Sequence, residues 1–557
     1  MRGGNASGRG HHGCLGAARG APDPEERGMT SAAHDVVVIG AGANGLVAAA
    51  RLGQAGLRTL LIEREEGLGG QGRLVELAPG FRAAPLGLDP GWAPAAIARA
   101  LRLDGLERHG ADTALTVVVE PGLLLTLPRD AGKASEAIRT YSPNDAGKWP
   151  AFTTLLSKLA GFLEVLYQTP APDVSASSPG DLLPMLGLLR KFRALGRRDM
   201  IEFLRTLPLS VWELLDDWFE HAPLKAAVAA GGVQDHRQGP RSGGTGFVLL
   251  HHLVGAPAGS VRGRPPWRAG PAAFTEAAAR AAKRLGVTVR TGAEVSRIDV
   301  RNDRVAGVVL KNGEEIAAGA VLSTADPATT LLDWVDPVWL DPEFLHAVGN
   351  IRHRGCTGVV TYALEALPEL PGLASKEALA GLVSLTPSLT SLERAADAAK
   401  YGRVSESPHV EFTVPTLLWP DLAPAGKHVL VARAQYAPYW LRDGATWDAT
   451  RRDALAGSVT AAIEAAAPCF QSRIAHRTTW SPLDLEERYG LREGAPSQGE
   501  LGLDQILFMR PVPGWGRHAT PISGLYLGGA GTHPGPGILG GPGWLAAQRL
   551  LQDRGRR

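Results

Sequence analysis

The first blocks of apolar and polar positions in the chain predict a strand, a helix and a second strand. The run Val36–Ile39 has the unbroken hydrophobicity of a buried parallel strand. Small and apolar residues recur through positions 46–57, as they do in a helix that packs on a sheet. A second apolar run, Thr59–Ile62, predicts the next strand. This order is typical of the β-α-β unit of a dinucleotide-binding fold.

The turn between the first strand and the helix carries three glycines. Gly40, Gly42 and Gly45 form G-x-G-x-x-G, with Ala43 and Asn44 between the last two. In this pattern the first glycine makes the turn, the second lets the backbone approach a pyrophosphate, and the third lets helix and strand pack closely. The free N–H groups and positive dipole end of the helix then face the phosphates. The turn therefore predicts a dinucleotide site.

The residues after the second strand distinguish between dinucleotides. Glu63 follows that strand about 20 residues after the glycines, where an acid accepts hydrogen bonds from a ribose diol. Arg64 and the glycine pair Gly69 and Gly70 come next. This stretch resembles the R-x-x-x-G-G extension of flavoproteins of the glutathione-reductase and amine-oxidase type. The resemblance favours noncovalent FAD over NAD and places Arg64, Gly69 and Gly70 among the cofactor contacts.

Distant segments strengthen the resemblance. Residues 286–298 resemble the strand whose backbone near Val295 brackets the adenine, and residues 320–327 resemble the strand that returns to the cofactor domain. Residues 524–535 resemble the closing strand and the loop at the flavin. The chain thus resembles the phytoene desaturase-like flavoproteins of the flavin amine oxidase superfamily, and within them the branch of pyridine nucleotide-disulfide oxidoreductase domain-containing protein 2. The resemblance implies further FAD contacts at Gly529, Gly531 and Thr532.

The predicted fold is α/β plus α+β, a Rossmann-like FAD-binding domain of the glutathione-reductase/amine-oxidase type with an interleaved substrate domain. Residues 31–85, 262–330 and 512–557 are assigned to the FAD-binding domain, and residues 1–30 to a disordered extension. The substrate domain takes residues 86–261, a helical insert, and residues 331–511, a mixed sheet. Periodic apolar positions predict helices at 152–166, 182–195 and 201–219 and strands at 358–364, 410–414 and 429–436.

Composition excludes several classes of protein. A formal net charge of +2 gives no sign of the basic excess that is typical of nucleic-acid-binding proteins. The three cysteines form no C-x-x-C, which excludes a disulfide framework and a redox dithiol of the thioredoxin-reductase type. No run approaches 18 apolar residues and no signal peptide is recognisable, so a cytoplasmic location is expected. The histidines show no metal-ligand spacing, and we expect no metal site.

Catalytic side chains are harder to predict because a flavin ring itself accepts the electrons. His533, beside Pro534, either faces the substrate or simply belongs to a turn. Tyr436 either lines an apolar pocket or belongs to the core. Gln498 stands where relatives of the branch often carry a histidine. Gln498 therefore either takes part in acid–base chemistry or orients the substrate through hydrogen bonds.

The expected function is dehydrogenation of an apolar or amphipathic small molecule, with electrons passed to oxygen or a quinone. No convergent charged pair is evident in residues 86–261 or 331–511, which favours a long apolar cavity. Two alternatives stay open: a flavin-dependent isomerase of a polyene that makes no net oxidation, and a non-catalytic regulatory protein that retains FAD. Residues 182–198 mix leucines with arginines and predict either a core helix with a charged outer face or a peripheral membrane contact. The oligomeric state is left open.

Overall fold

The computed structural model of the protein describes residues 34–172 and 179–555, with only the backbone of residues 179–184. The predicted extension 1–30 lies outside the described residues. The strands are β1 (Val36–Ile39), β2 (Thr59–Ile62), β3 (Val75–Ala78), β4 (Phe81–Ala83), β5 (Thr113–Glu120), β6 (Leu123–Pro128), β7 (Thr288–Arg290), β8 (Val295–Arg301), β9 (Arg304–Leu310), β10 (Glu315–Ala317), β11 (Val321–Ser323), β12 (Thr357–Leu364), β13 (Leu382–Ser384), β14 (His409–Thr413), β15 (His428–Gln435), β16 (Ile474–Trp480) and β17 (Leu525–Leu527).

Some helices cover the sheets, and others form a separate cluster. They are α1 (Ala43–Gln54), α2 (Ala95–Leu101), α3 (Ala131–Arg139), α4 (Pro143–Tyr167), α5 (Pro179–Arg193), α6 (Gly196–Thr206), α7 (Val211–Asp216), α8 (Ala222–Ala229), α9 (Thr245–Leu253), α10 (Ala273–Arg284), α11 (Pro342–Gly349), α12 (Leu389–Lys400), α13 (Ala449–Ala466), α14 (Pro482–Tyr489) and α15 (Gly541–Gly555).

The predicted β-α-β unit forms the centre of a parallel five-stranded sheet. The strand order is β17-β11-β1-β2-β7, and every neighbouring pair runs parallel. Alternate side chains of β1 enter different cores, as a period of two requires. Val36 and Val38 pack with α1, α10 and α15, whereas Val37 and Ile39 pack with β8, β9 and α11. Both faces of the sheet are therefore covered, which explains why its strands are apolar throughout.

The sheet joins strands from three distant parts of the sequence: β1 and β2, then β7 and β11, then β17. These strands fall within the predicted segments 31–85, 262–330 and 512–557. Because crossover connections separate parallel strands, long insertions fit between them without disturbing the pairing. The residue boundaries of the two domains stay a prediction.

A seven-stranded mixed sheet forms the second layer, in the order β16-β12-β15-β14-β13-β5-β6. Only β13 and β5 pair in parallel. One face packs Val360, Leu430 and Ala432 against α13. The opposite face carries Val359 and Val431 and turns toward the site described below. The hairpin β5–β6 comes from residues predicted as a helical insert, and sequence analysis missed it.

Helices α3 to α9 pack around an aromatic core that includes Trp149, Phe152 and Phe219. The predicted single helix at 201–219 is wrong, because α6 ends at Thr206 and α7 begins at Val211. Pro208 lies between them and cannot donate a helical hydrogen bond. Ser210 then starts α7 with a capping box to Glu213.

Candidate functional site

The glycine turn after β1 has the geometry that its sequence predicts. Gly40 has a φ of +92°, which glycine adopts without steric cost. A Cβ at Gly45 would lie 1.8 Å from the carbonyl oxygen of Gly40, so only glycine lets α1 approach the strand this closely. Gly42 is the N-cap of α1, and no side chain caps that end. The first N–H groups of α1 are therefore available to an anionic ligand.

A second glycine turn packs directly against the first. Gly69 N–H donates to the carbonyl of Ala41 at 2.9 Å, and Gly69 has a φ of +116°. A Cβ added to Gly70 would lie 3.1 Å from the Cα of Gly42. The two turns form a wall of bare backbone, which is the surface that lets a pyrophosphate approach the N-terminus of α1.

Glu63 closes the other end of this wall. Its Oε2 accepts a hydrogen bond from Ala41 N–H at 2.7 Å, and its Oε1 accepts one from Glu65 N–H at 3.0 Å. These bonds hold the carboxylate at the cavity wall next to Val295, where the sequence predicts the adenosine. Arg64 also reaches the wall, but its Nη2 donates to the carbonyl of Glu487 at 2.8 Å.

The loop after β17 contacts the cavity through residues other than those predicted. Ala530 and residues 535–539 line the wall, whereas Gly529, Gly531 and Thr532 do not. Thr532 is buried because its hydroxyl donates to the carbonyl of Gly529 at 2.8 Å and folds the loop back on itself. A Cβ at Gly531 would lie 2.3 Å from Pro327, so this glycine is needed for packing.

Gln498 lies at the cavity wall and braces this loop. Its side-chain oxygen accepts from Gly531 N–H at 2.9 Å, and its amide donates to the carbonyl of Thr324 at 3.2 Å. Both polar ends of the side chain are therefore occupied by backbone. Arg510, which sequence analysis missed, is fully buried and donates to the carbonyls of Gln498 and Ala530. An isolated arginine in the sequence gives no local signal of such a role.

The other two catalytic candidates do not line the cavity. His533 is buried, and its Nε2 donates to the carbonyl of Thr169 at 3.0 Å. Tyr436 is also buried, and its hydroxyl donates to the carbonyl of Gln238 at 3.0 Å. The Tyr436 hydroxyl is used by backbone, but the Nδ1 atom of His533 is buried without a hydrogen-bond partner. Neither side chain lines the cavity, and a catalytic role for either residue stays a prediction.

One continuous cavity of about 560 Å³ joins these features to the seven-stranded sheet. It begins at Glu63 and Gly42 and ends against Val359 and Val431. Beside the glycine wall, the Oδ1 atom of Asn44 is buried without a hydrogen-bond partner. An orphaned acceptor is costly unless a ligand or water satisfies it. The bare backbone, the uncapped helix and this atom together fit a dinucleotide.

The sheet end of the cavity contradicts the expected apolar tunnel. Apolar residues such as Leu382, Leu418 and Leu422 do line it, but buried charges lie among them. Arg264 pairs with Asp89 at 2.5 Å, and Arg433 pairs with Glu411 at 2.7 Å. These pairs could not be predicted because their members lie far apart in sequence, and each arginine alone is typical of a solvated surface.

Within residues 34–172 and 179–555, no group of three or more histidine, cysteine or acidic side chains is arranged to hold a metal ion. Cys356 and Cys469 are both free thiols. In the same part of the chain, no helix is both long and apolar enough to cross a membrane.

The site therefore defines a dinucleotide-binding protein whose cofactor cavity opens onto a second sheet. Residues 44–541 match the model of the family described as flavin containing amine oxidoreductase. Pyridine nucleotide-disulfide oxidoreductase domain-containing protein 2 of Rattus norvegicus is 33% identical over 544 residues, which cover 93% of this chain and 94% of the relative. The chain belongs to the flavin containing amine oxidoreductase family. It is an FAD-dependent oxidoreductase.

More distant relatives agree with the predicted resemblance. A lycopene-forming phytoene desaturase of Paracoccus sp. is 24% identical, with 94% of this chain and 98% of the relative covered. A solved structure of a putrescine oxidase mutant has a TM-score of 0.59 at 16% identity, with 94% of this chain and 99% of that chain covered. The predicted fold class, a Rossmann-like domain with an interleaved substrate domain, is confirmed at this level.

Proposed function

We propose that this oxidoreductase binds FAD noncovalently and dehydrogenates a C–C or C–N bond of an amphipathic small molecule. The observation that carries the proposal is the single cavity between the glycine wall and the open face of the seven-stranded sheet. A cofactor at Gly42 and a substrate at Val431 would share this cavity. Clefts of this size that combine apolar walls with a few polar groups are typical of small-molecule sites.

Bound FAD would supply the acceptor for a hydride or for electrons. The chain itself would bind, orient and exclude water. The uncapped N-terminus of α1 would hold the phosphates, and Glu63 would accept hydrogen bonds from the ribose. Val359 and Val431 provide an apolar floor for the reacting part of the substrate.

The proposed electron acceptor is oxygen or a quinone. The sequence carries one dinucleotide fingerprint, and the second turn at Gly69 and Gly70 belongs to the same site. Neither Cys356 nor Cys469 has a partner thiol, so the described residues contain no dithiol relay. Rapid bleaching of the flavin by NADPH with saturation kinetics would overturn this part of the proposal.

Turnover tests the reaction class directly. The flavin-loaded protein should oxidise members of a panel of amphipathic acids, alcohols and amines, with matching consumption of oxygen or reduction of menadione. A product of unchanged mass, formed only after flavin reduction, would establish the isomerase alternative instead. Bound FAD with no turnover across the panel would establish the non-catalytic alternative.

The proposed location is cytoplasmic, with peripheral membrane contact through the α5–α6 hairpin. The side chains of Leu186 and Leu189 on α5 are 61% and 45% exposed. These two leucines therefore do not pack in the core, as the core-helix alternative would require. Leu188 and Phe192 do pack against the core. Exposed Arg190 and Lys191 lie next to the exposed leucines, a combination that suits an anionic lipid surface.

A further inference from the structure

A small niche opens from the sheet end of the cavity. It measures about 30 Å³ and shares part of its wall with the main cavity. A water molecule needs roughly 10–15 Å³ on this measure, so the niche has room for a group of a few atoms. Its polar wall consists of Asp89, Gln234, His252, Arg262, Arg264 and Arg433.

The arginines of the niche outnumber the carboxylates that pair with them. Arg262 and Arg433 both bind the same oxygen of Glu411, at 2.8 and 2.7 Å. Arg264 takes Asp89. Three guanidinium groups therefore share two directly paired carboxylates in a buried setting.

Further charged groups surround the niche. Arg108 and Arg129 lie close by, and their guanidinium groups donate to backbone carbonyls, including those of Pro265 and Gly263. Burial lowers the pKa of each to about 10. Asp235 lies near Arg433, and its Oδ1 accepts from the Thr357 hydroxyl at 2.8 Å.

Two members of the wall keep free hydrogen-bonding capacity. The side chain of Arg433 uses Nη2 for Glu411 and makes no other hydrogen bond to the residues that the structure describes. By contrast, Arg262 and Arg264 are also fixed by the carbonyls of Ala227 and Val254. The Nδ1 atom of His252 is buried without a hydrogen-bond partner, 3.9 Å from Asp89.

We propose that the niche binds the carboxylate of an amphipathic substrate, with Arg433 as the principal ligand and His252 as a second donor. This inference rests on the proposed function and narrows its substrate class. Arg433 and Val431 are two residues apart on β15 and therefore point to the same face of the sheet. A carboxylate at Arg433 would place the apolar remainder of the molecule along Val431 and Val359. A planar guanidinium with free N–H groups matches a carboxylate in charge and geometry.

Calorimetric titration of the flavin-loaded protein with decanoate and with 1-decanol tests the assignment. The two probes share an alkyl chain and differ at the head group. Decanoate should bind at least about tenfold more tightly than 1-decanol to the natural protein. Arg433→Gln should weaken decanoate binding about 10- to 100-fold and leave 1-decanol unchanged, the range expected for a lost charge-assisted hydrogen bond.

Arg477→Gln is the matched control, because Arg477 lies on β16 of the same sheet, pairs with Asp453 and does not line the main cavity. Arg433→Lys keeps the charge and loses the fork, so its decanoate affinity should fall between those of the natural protein and Arg433→Gln. This variant also provides the test if Arg433→Gln fails to fold, in which case a natural affinity for decanoate in Arg433→Lys would contradict the role of the fork.

Three results would overturn the inference: equal affinities for decanoate and 1-decanol, equal loss in Arg477→Gln, or a shift of the flavin reduction potential in Arg433→Gln with unchanged decanoate binding. The last would mean that Arg433 serves the cofactor. Failure of the proposed function has a different outcome, since flavin-loaded protein that turns over no substrate can still be titrated with decanoate.

Discussion

The side chain of Gln498 accepts a hydrogen bond from the backbone N–H of Gly531 at 2.9 Å and thereby fixes the loop that follows β17. The same side chain donates to the carbonyl of Thr324, just after β11. Gln498 has a φ of +50°, a conformation that non-glycine residues seldom adopt. Two neighbouring parallel strands are therefore tied together at their carboxyl ends, beside the cavity.

Gln498→Ala should loosen this loop. Because two hydrogen bonds to buried backbone are lost, the free energy of unfolding should fall by about 1–3 kcal/mol. Urea unfolding measures that loss, and the flavin content of the purified variant should fall with it. Gln168→Ala is the control, since Gln168 donates at the exposed end of α4. Equal stability of the two variants would show that the brace does not act.

Gly45→Ala should prevent assembly of the cofactor site. The added Cβ would meet the carbonyl oxygen of Gly40 at 1.8 Å, and neither backbone segment can move without separating β1 from α1. The variant should retain no flavin. Gly147→Ala on α4 meets no atom within 4 Å and should raise stability by about 0.5–1 kcal/mol. Flavin absorbance and thermal unfolding report both effects, and normal flavin retention in Gly45→Ala would contradict the packing argument.

Stability should decline as the pH falls below about 6.5. Burial lowers the pKa of His236, His251 and His518 to about 3 in the folded protein. The unfolded chain binds protons at these histidines near pH 6.5, so it gains protons that the folded state does not. Each histidine then removes about 1.4 kcal/mol per pH unit between the two values. Urea unfolding at pH 7.5, 6.0 and 5.0 should show this decline.

His518→Gln should make that dependence shallower. His518 lies outside the cavity, and its Nδ1 donates to the carbonyl of Leu527 at 3.0 Å, a bond that glutamine can replace. His476→Gln, at an exposed position on β16, is the control. The same slope in His518→Gln as in the natural protein would refute the assignment of the acid sensitivity to this residue.

The exposed leucines of α5 should mediate binding to anionic lipid vesicles. Replacing both Leu186 and Leu189 by glutamine removes apolar surface worth about 1.5–3 kcal/mol for each fully buried leucine, so sedimentation with vesicles should fall at least about tenfold. Leu123→Gln is the control, because Leu123 is 44% exposed at the start of β6. Equal sedimentation of all three proteins would exclude this contact.

The elements that could be predicted are those whose sequence signals lie close together along the chain. Strand β1, helix α1 and strand β2 were predictable because their apolar runs, glycines and Glu63 lie within thirty residues and have one compatible geometry. The hairpin β5–β6 was missed because its strands complete a sheet whose other members lie hundreds of residues away. Tertiary pairing there decides the structure more than local preference.

The candidate site likewise has a part that local sequence predicts and a part that it does not. The glycine wall follows from local spacing, whereas the niche assembles Asp89, Arg264 and Arg433 from three distant segments. Tyr436 and His533 were plausible from residue type alone. Their positions depend on the carbonyls of Gln238 and Thr169, which no spacing in the sequence relates to them.

The flavin content of the purified protein tests the central claim most directly. We expect about one FAD per chain, with absorption at about 450 nm and release of the flavin into the supernatant on acid precipitation. Gly42→Glu should purify as a folded, colourless protein, because a carboxylate would occupy the place of the pyrophosphate at the N-terminus of α1. Natural protein that is colourless and takes up no added FAD, or Gly42→Glu that retains a full complement of flavin, would contradict FAD binding at the N-terminus of α1.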